Sequence, residues 1–244
     1  MQTQQIDIQT ADGTMDCFIA RPDGDGPFMP VLFYMDVPGI RQELRDMAMR
    51  VASDGFLCVL PDLYYRSGKV RFDLRKGESE LKKMFAEGSK LTNQMIVGDT
   101  AAMLAHLDAD PHAMATTGTV GYCMSGQFVI SVAGSFPDRV LATAALYGTR
   151  MVTDAADSPH LLIPQIKGEV FLGFADHDPY VEDDVIPTME SAFAANTNVA
   201  LDLVRYPDTE HGFCFPQRPG YREGPAEDAW TRMIEMYRRA SASS

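Results

Sequence analysis

Apolar positions along this chain switch between two spacings, short solid or alternating runs and stretches with a three-to-four-residue period. Residues 5–9 and 14–20, separated by the turn Ala11-Asp12-Gly13, predict a two-strand opening. A loop rich in Gly, Pro and Asp over 21–28 leads into the solid apolar run 30–35, predicted as a buried strand. Leu44, Met47, Ala48 and Val51 repeat at helical spacing within 42–53, and Asp54-Gly55 is a usual helix stop. The run 56–60, closed by Pro61-Asp62, predicts the next strand, and the charged, less regular stretch 70–89 a surface excursion with one helix. Beyond it the pattern predicts helices over 93–107, 127–136, 182–195 and 227–239, strands over 116–120, 140–146, 168–173 and 199–206, and a loose tail, 241–244. Strands alternating with helices from residue 30 onward argue for a mostly parallel sheet covered on both faces. With no repeat, low-complexity segment or Ser/Gly linker, residues 1–244 are expected to form one α/β domain.

Composition agrees with a soluble globular chain: 45% of the 244 residues are hydrophobic and 23% charged, enough for a substantial core. The 21 basic and 34 acidic residues leave a net charge of −13, which repels nucleic-acid phosphates and acidic lipid faces, so neither is an expected partner. No apolar run approaches the ~20 residues that span a bilayer. The opening Met1-Gln2-Thr3-Gln4-Gln5 has neither the positive patch nor the apolar core of a signal peptide. The cysteines at 17, 58, 123 and 214 form no Cys-x-x-Cys pair, zinc motif or disulfide scaffold, so a reducing cytoplasmic setting is expected, with no metal site. Cys17 and Cys58 lie in apolar strand-like runs and read as inert core residues, and Cys214 is a weaker candidate for reactivity than Cys123.

Gly121-Tyr122-Cys123-Met124-Ser125-Gly126 carries the chemistry. A reactive side chain between a strand and a helix, with small residues on either side, is a nucleophile elbow, here with cysteine in place of the usual serine. The small neighbours suit a strained turn whose backbone passes close to other elements. The helix start beneath the cysteine favours a thiolate and later an oxyanion. An elbow fold then needs an acid and a histidine in that chain order. The loop after 168–173 offers Asp176 and Asp178, with His177 between them, and the loop after 199–206 offers His211. Such carboxyl-end loops are where sites assemble in parallel sheets. His106, His112 and His160 have no matched partners, and Ser125 lacks elbow glycines of its own.

With these residues placed, the chain resembles the dienelactone hydrolase family, an α/β-hydrolase group with a cysteine nucleophile. The stretches that carry the resemblance are Val31-Leu32-Phe33-Tyr34-Met35-Asp36, Pro61-Asp62-Leu63-Tyr64-Tyr65-Arg66, the elbow, Asp178-Pro179-Tyr180-Val181 and His211-Gly212-Phe213, together with the ending around Ala229-Trp230. The resemblance implies Cys123 as nucleophile, His211 as base and Asp178, rather than Asp176, as the residue that orients it. It implies an oxyanion site from the backbone amides of Met124 and Val37. Related enzymes carry a glutamate at the position of Asp36 that takes part in ionising the thiol; the shorter Asp36 has either that role or the capping of the turn Asp36-Val37-Pro38-Gly39. Dienelactone-specific members hold a substrate carboxylate with an arginine four residues after the histidine, where this chain has Phe215. Phe213 and Phe215 are therefore expected pocket-wall residues, and Arg66, Arg41 or Arg218 the candidate carboxylate anchors.

The expected activity is hydrolysis of a small ester or lactone through a thioester, without metal or cofactor. Thioester or peptide hydrolysis, or acyl transfer, on the same fold is an alternative. A non-catalytic binding protein that keeps the hydrolase shell is another, although a binder would not need an acid, a base and a nucleophile in order.

Overall fold

The computed structural model describes residues 1–243 and divides into two compact units, Met1–Ala115 and Thr116–Ser244. In the first unit, β1 (Gln2–Thr10) and β2 (Gly13–Arg21) form an antiparallel hairpin in register from Gln2↔Arg21 to Thr10↔Gly13. β2 continues antiparallel onto β4 (Leu57–Pro61), and β3 (Pro30–Tyr34) pairs with β4 in parallel. Every residue of β3 and β4 is buried, as their solid apolar runs require, whereas β1 is polar and mostly exposed. Helix α1 (Gln42–Ser53) packs its Leu44, Met47, Ala48 and Val51 face on β2 and β4, each large side chain contributing roughly 1.5–3 kcal/mol by leaving water. The excursion carries α2 (Glu78–Gly88), which buries only Met84, together with short 3-10 turns at Tyr65–Ser67 and Leu74–Lys76. Helix α3 (Asn93–Asp108) starts at a Thr92 cap whose Oγ1 accepts from the Met95 amide at 3.2 Å.

The second unit is built on four parallel strands in spatial order β5 (Thr117–Tyr122), β6 (Val140–Leu146), β7 (Gly168–His177) and β8 (Val199–Glu210). Helix α4 (Gly126–Ser135) is buried on all sides from Gly126 to Gly134, and α5 (Val185–Ala194) and α6 (Glu223–Ala242) complete the unit. α4 packs on β5, on β6 and on a 3-10 helix, Pro159–Gln165, that the apolar spacing does not announce.

Several ends differ from the sequence expectation, and at β7, β8 and α6 polar residues extend elements whose apolar cores were legible. β7 and β8 each run four residues past the expected end, so Asp176 and His177 are the last residues of a strand. α6 begins at Glu223 and continues through Ala242, so the expected loose tail is helical over its first two residues, and residue 244 lies outside the described residues. α5 starts at Val185, after a turn that holds the acidic residues 182–184. Among the described residues, no helix is long and apolar enough to cross a membrane.

Candidate active site

β5 delivers Cys123 to the point where the strand stops and the chain turns into α4 through the 3-10 turn Cys123–Ser125. Cys123 has φ 55°, the left-handed region that costs a side-chain-bearing residue roughly 1–2 kcal/mol. It is half-buried, while Cys17, Cys58 and Cys214 are buried, and burial pushes those three thiols up, away from ready ionisation. The elbow glycines are there for space. A Cβ on Gly121 would come within 2.4 Å of the Ser125 carbonyl oxygen, and one on Gly126 within 2.3 Å of Gly148 Cα. The turn is tied to the loop after β6 by the Thr149 amide, which donates to the Cys123 carbonyl at 2.9 Å.

The acid and the base arrive from β7 and β8, whose ladder shifts register between Ala175 and His177 and closes with His177 opposite Glu210. Thr209, fully buried, joins the two ends: its Oγ1 accepts from the Asp176 amide at 3.3 Å and donates to the Tyr206 carbonyl at 2.7 Å. Beyond this clasp His211 Nδ1 lies 2.8 Å from Asp178 Oδ2, with the two side chains 15% and 4% exposed. Asp176 faces another way, its Oδ1 2.9 Å from Arg205 Nε. Burial opposes a charged imidazole at 211, but hydrogen bonds to Asp178 and Cys123, together with the charges of both, outweigh it and push His211 up to about 9. Nε2 of His211 is buried and makes no hydrogen bond of ordinary length. Cys123 acts on the imidazole through hydrogen bonding and charge. An open cavity of about 470 Å³ adjoins the pair, lined by His177, Asp178, Pro179, Glu210 and His211.

Aromatic rings surround the histidine. Tyr147, buried and with φ 38°, and Tyr180 meet the imidazole edge-on at centroid distances of 5.0 and 4.8 Å. Phe213 and Phe215, expected to wall the pocket, have 0% and 1% of their surface exposed. Their rings pack against Tyr147 at 5.5 and 6.2 Å, so they buttress the ring that touches His211. The sequence reading missed Tyr147 and Thr209. Nothing in the chain marks a tyrosine that will adopt a positive φ. Tyr180 stood inside the quoted Asp178 motif without a role.

Of the remaining expected residues, Asp36, Val37, Arg41 and Arg66 belong to the first unit and Arg218 to the second. Asp36 is fully buried and pairs through both carboxylate oxygens with Arg41, whose Nη2 is 3.1 Å from Oδ2. Arg41 also donates from Nε to Glu43 at 2.9 Å. The backbone turn expected at Asp36 is present, the Gly39 amide donating to the Asp36 carbonyl at 3.0 Å. Val37 is buried, and its carbonyl accepts from Tyr64 Oη at 2.6 Å. Arg66 points four of its five N–H donors at Asp99 and Asp12, at 2.7–2.9 Å. Its charge is thereby balanced by two carboxylates, one of them buried, which leaves little of the guanidinium for the substrate anchor expected of it. Arg218 lies over the Phe215 ring, 5.9 Å from its centroid.

The model of the Dienelactone hydrolase family matches residues 15–241. A "Putative carboxymethylenebutenolidase" of Salmonella typhi is 27% identical over 237 residues, covering 94% of this chain and 84% of its own. A protein of the same name from Methylorubrum extorquens is 27% identical over 241 residues, covering 96% and 80%. Among solved structures, a "Putative Dienelactone Hydrolase" from Klebsiella pneumoniae superposes with a TM-score of 0.85 at 24% identity, covering 97% of this chain and 98% of that one. A dienelactone hydrolase-like promiscuous phosphotriesterase, P91, from metagenomic libraries superposes with a TM-score of 0.79 at 18% identity, covering 98% of each chain. These likenesses show the α/β-hydrolase fold.

Proposed function

This chain belongs to the dienelactone hydrolase family, and from that premise we propose that it hydrolyses a small carboxylic ester or lactone through a thioester on Cys123. The observation that carries the reading is the half-buried cysteine at a left-handed strand-to-helix turn, acting on a histidine that a buried aspartate holds at 2.8 Å. The family match runs across the boundary at residue 115, which favours reading residues 1–244 as one α/β-hydrolase domain.

The chemistry follows from the residues. Cys123 Sγ, ionised by proton transfer to His211 Nε2, attacks the ester carbonyl and forms a tetrahedral oxyanion. Collapse expels the alkoxide, which takes the proton from the imidazolium, and leaves the thioester. His211 then removes a proton from water, hydroxide adds to the thioester, and the thiolate departs as the acid product forms. Asp178 accepts from Nδ1 throughout, fixing the tautomer and balancing the imidazolium. Met124, the residue after the nucleophile, supplies an amide to the oxyanion; such a donor is worth roughly 3 kcal/mol. No step in this sequence calls for a metal or an organic cofactor.

The test is intact mass spectrometry during turnover of p-nitrophenyl esters and lactones, with Cys123→Ala alongside. The expected result is an acyl adduct on the wild-type chain and none on the variant, with turnover lost in the variant. Turnover at the wild-type rate in Cys123→Ala would remove the cysteine from the mechanism.

A further inference from the structure

Tyr180 is one of four large apolar side chains left substantially exposed among the described residues, with 53% of its surface open. A lone exposed ring is ordinary on a protein surface and signals nothing by itself. Two contacts set this one apart. The Tyr180 amide donates to Asp178 Oδ1 at 3.0 Å, while the other oxygen of the same carboxylate meets His211 Nδ1 at 2.8 Å. The Tyr180 ring stands against the imidazole, centroids 4.8 Å apart and planes at 70°, the edge-to-face geometry that aromatic pairs favour. Tyr147 makes a like contact at 5.0 Å and 67° from a buried position, and holds a left-handed backbone to do so.

We propose that Tyr180 is a positioning residue of the catalytic pair: its amide fixes the Asp178 carboxylate and its ring fixes the His211 imidazole, so one residue sets the angle between acid and base. This rests on the catalytic reading above. The imidazole rotates about two side-chain bonds, and Nε2 lacks an ordinary hydrogen bond to hold it in the free protein. The hydrogen bond at Nδ1 fixes one point of the ring and leaves rotation about it. Rings meeting the imidazole at a steep angle restrict that rotation, and Tyr180 does so from the exposed end of the acid loop. Proton transfer to and from sulfur needs the ring held to a fraction of an ångström and about 10–20°.

The experiment compares wild type with Tyr180→Phe, Tyr180→Leu and Tyr180→Ala. Steady-state hydrolysis of a p-nitrophenyl ester is paired with NMR of the His211 ring protons in the free protein. Tyr180→Ala and Tyr180→Leu should lower kcat by roughly 10- to 100-fold, with KM changed less than about twofold. The His211 ring-proton signals should move and broaden as the ring contact is lost. Tyr180→Phe should restore both readouts, because the contact uses the ring and not the hydroxyl. A rise in KM at unchanged kcat would overturn the proposal, since the ring would then be a substrate contact. Unmoved His211 signals in Tyr180→Ala would overturn it as well. Should Tyr180→Ala fail to fold, Tyr180→Leu carries the same two readouts. Should Cys123→Ala retain full activity, the catalytic reading falls and the His211 signals alone decide whether Tyr180 holds the imidazole.

Discussion

His211 Nδ1 meets Asp178 Oδ2 at 2.8 Å, while the Oδ1 of Asp176, two residues earlier at the end of β7, lies 2.9 Å from Arg205 Nε. The register shift after Ala175 and the clasp through Thr209 turn the two carboxylates to different partners, and Asp176 pairs with Arg205.

Asp178→Asn should therefore cut ester turnover by roughly 10²–10⁴-fold, because an amide can present a donor where the imidazole also donates and cannot balance an imidazolium. Asp176→Asn should stay within about threefold of wild type, since it loses a half-exposed pair with Arg205. Steady-state kcat of the two variants decides the matter, and a reversed order would assign the acid to Asp176.

The charge on His211 makes stability depend on pH in a definite direction. Its folded value of about 9 lies above the ordinary 6.5, so the folded state binds the proton more tightly than the unfolded chain. The resulting stabilisation is fully present below about 6.5 and is lost as pH rises through about 9. Urea midpoints between those values should fall more steeply for wild type than for His211→Gln. Cys123→Ala and Asp178→Asn should each bring the NMR titration of His211 downward, since both side chains hold the proton there. An imidazole titrating near 6.5 in wild type would sink this prediction.

How much of this was legible in the chain depended on what kind of force places each residue. The bounds of α1 and β6 coincide with their apolar patterns because burial alone defines them. The ends of β7 and β8 did not, because hydrogen bonding carries the polar residues Asp176, His177 and Glu210 past the apolar run. Cys123 stood out because glycines bracket it, and glycine is where a sequence records close backbone approach. Choosing between Asp176 and Asp178 needed a family resemblance, since residues two apart in a strand-end loop are equivalent by pattern. Tyr147 had no signal at all: a tyrosine with φ 38° is held there by the rings of Tyr122, Phe213 and Phe215, which come from distant segments.

The elbow glycines should be intolerant of even one methyl. Gly126→Ala puts a Cβ 2.3 Å from Gly148 Cα, and Gly121→Ala one 2.4 Å from the Ser125 carbonyl oxygen, both backbone atoms that cannot swing aside. Each should cost about 3 kcal/mol or more, the upper end for overpacking. Gly98, exposed within α3 and with nothing within 4 Å of an added Cβ, is the control. Gly98→Ala should stabilise by roughly 0.5–1 kcal/mol through helix propensity. Urea midpoints for the three variants check the contrast, and a harmless Gly126→Ala would contradict the packing described for the elbow.

Asp36 gives the last prediction, and it turns on a buried ion pair. The carboxylate is fully buried and bound by both outer nitrogens of Arg41, which also reaches Glu43. Burial disfavours a charged guanidinium there, and the two carboxylates overcome that, raising its affinity for the proton. Removing one member of a buried pair strands the other, at a cost of roughly 3–5 kcal/mol, and Glu43 keeps the loss toward the lower end. Asp36→Ala should accordingly destabilise by about 3 kcal/mol. The double variant Asp36→Ala with Arg41→Met should recover only a small part of that loss, because removing the guanidinium also takes from the buried Glu43 the partner it holds. Urea midpoints of the four proteins in this cycle measure the coupling, and an unchanged midpoint in Asp36→Ala would deny the pair any structural weight. Iodoacetamide labelling of Cys123 against pH, with Cys17, Cys58 and Cys214 changed to Ser, adds the second arm. Superimposable curves for wild type and Asp36→Ala would leave Asp36 with Arg41 as its whole role, whereas faster labelling in the variant would give the carboxylate a part in holding the thiol neutral.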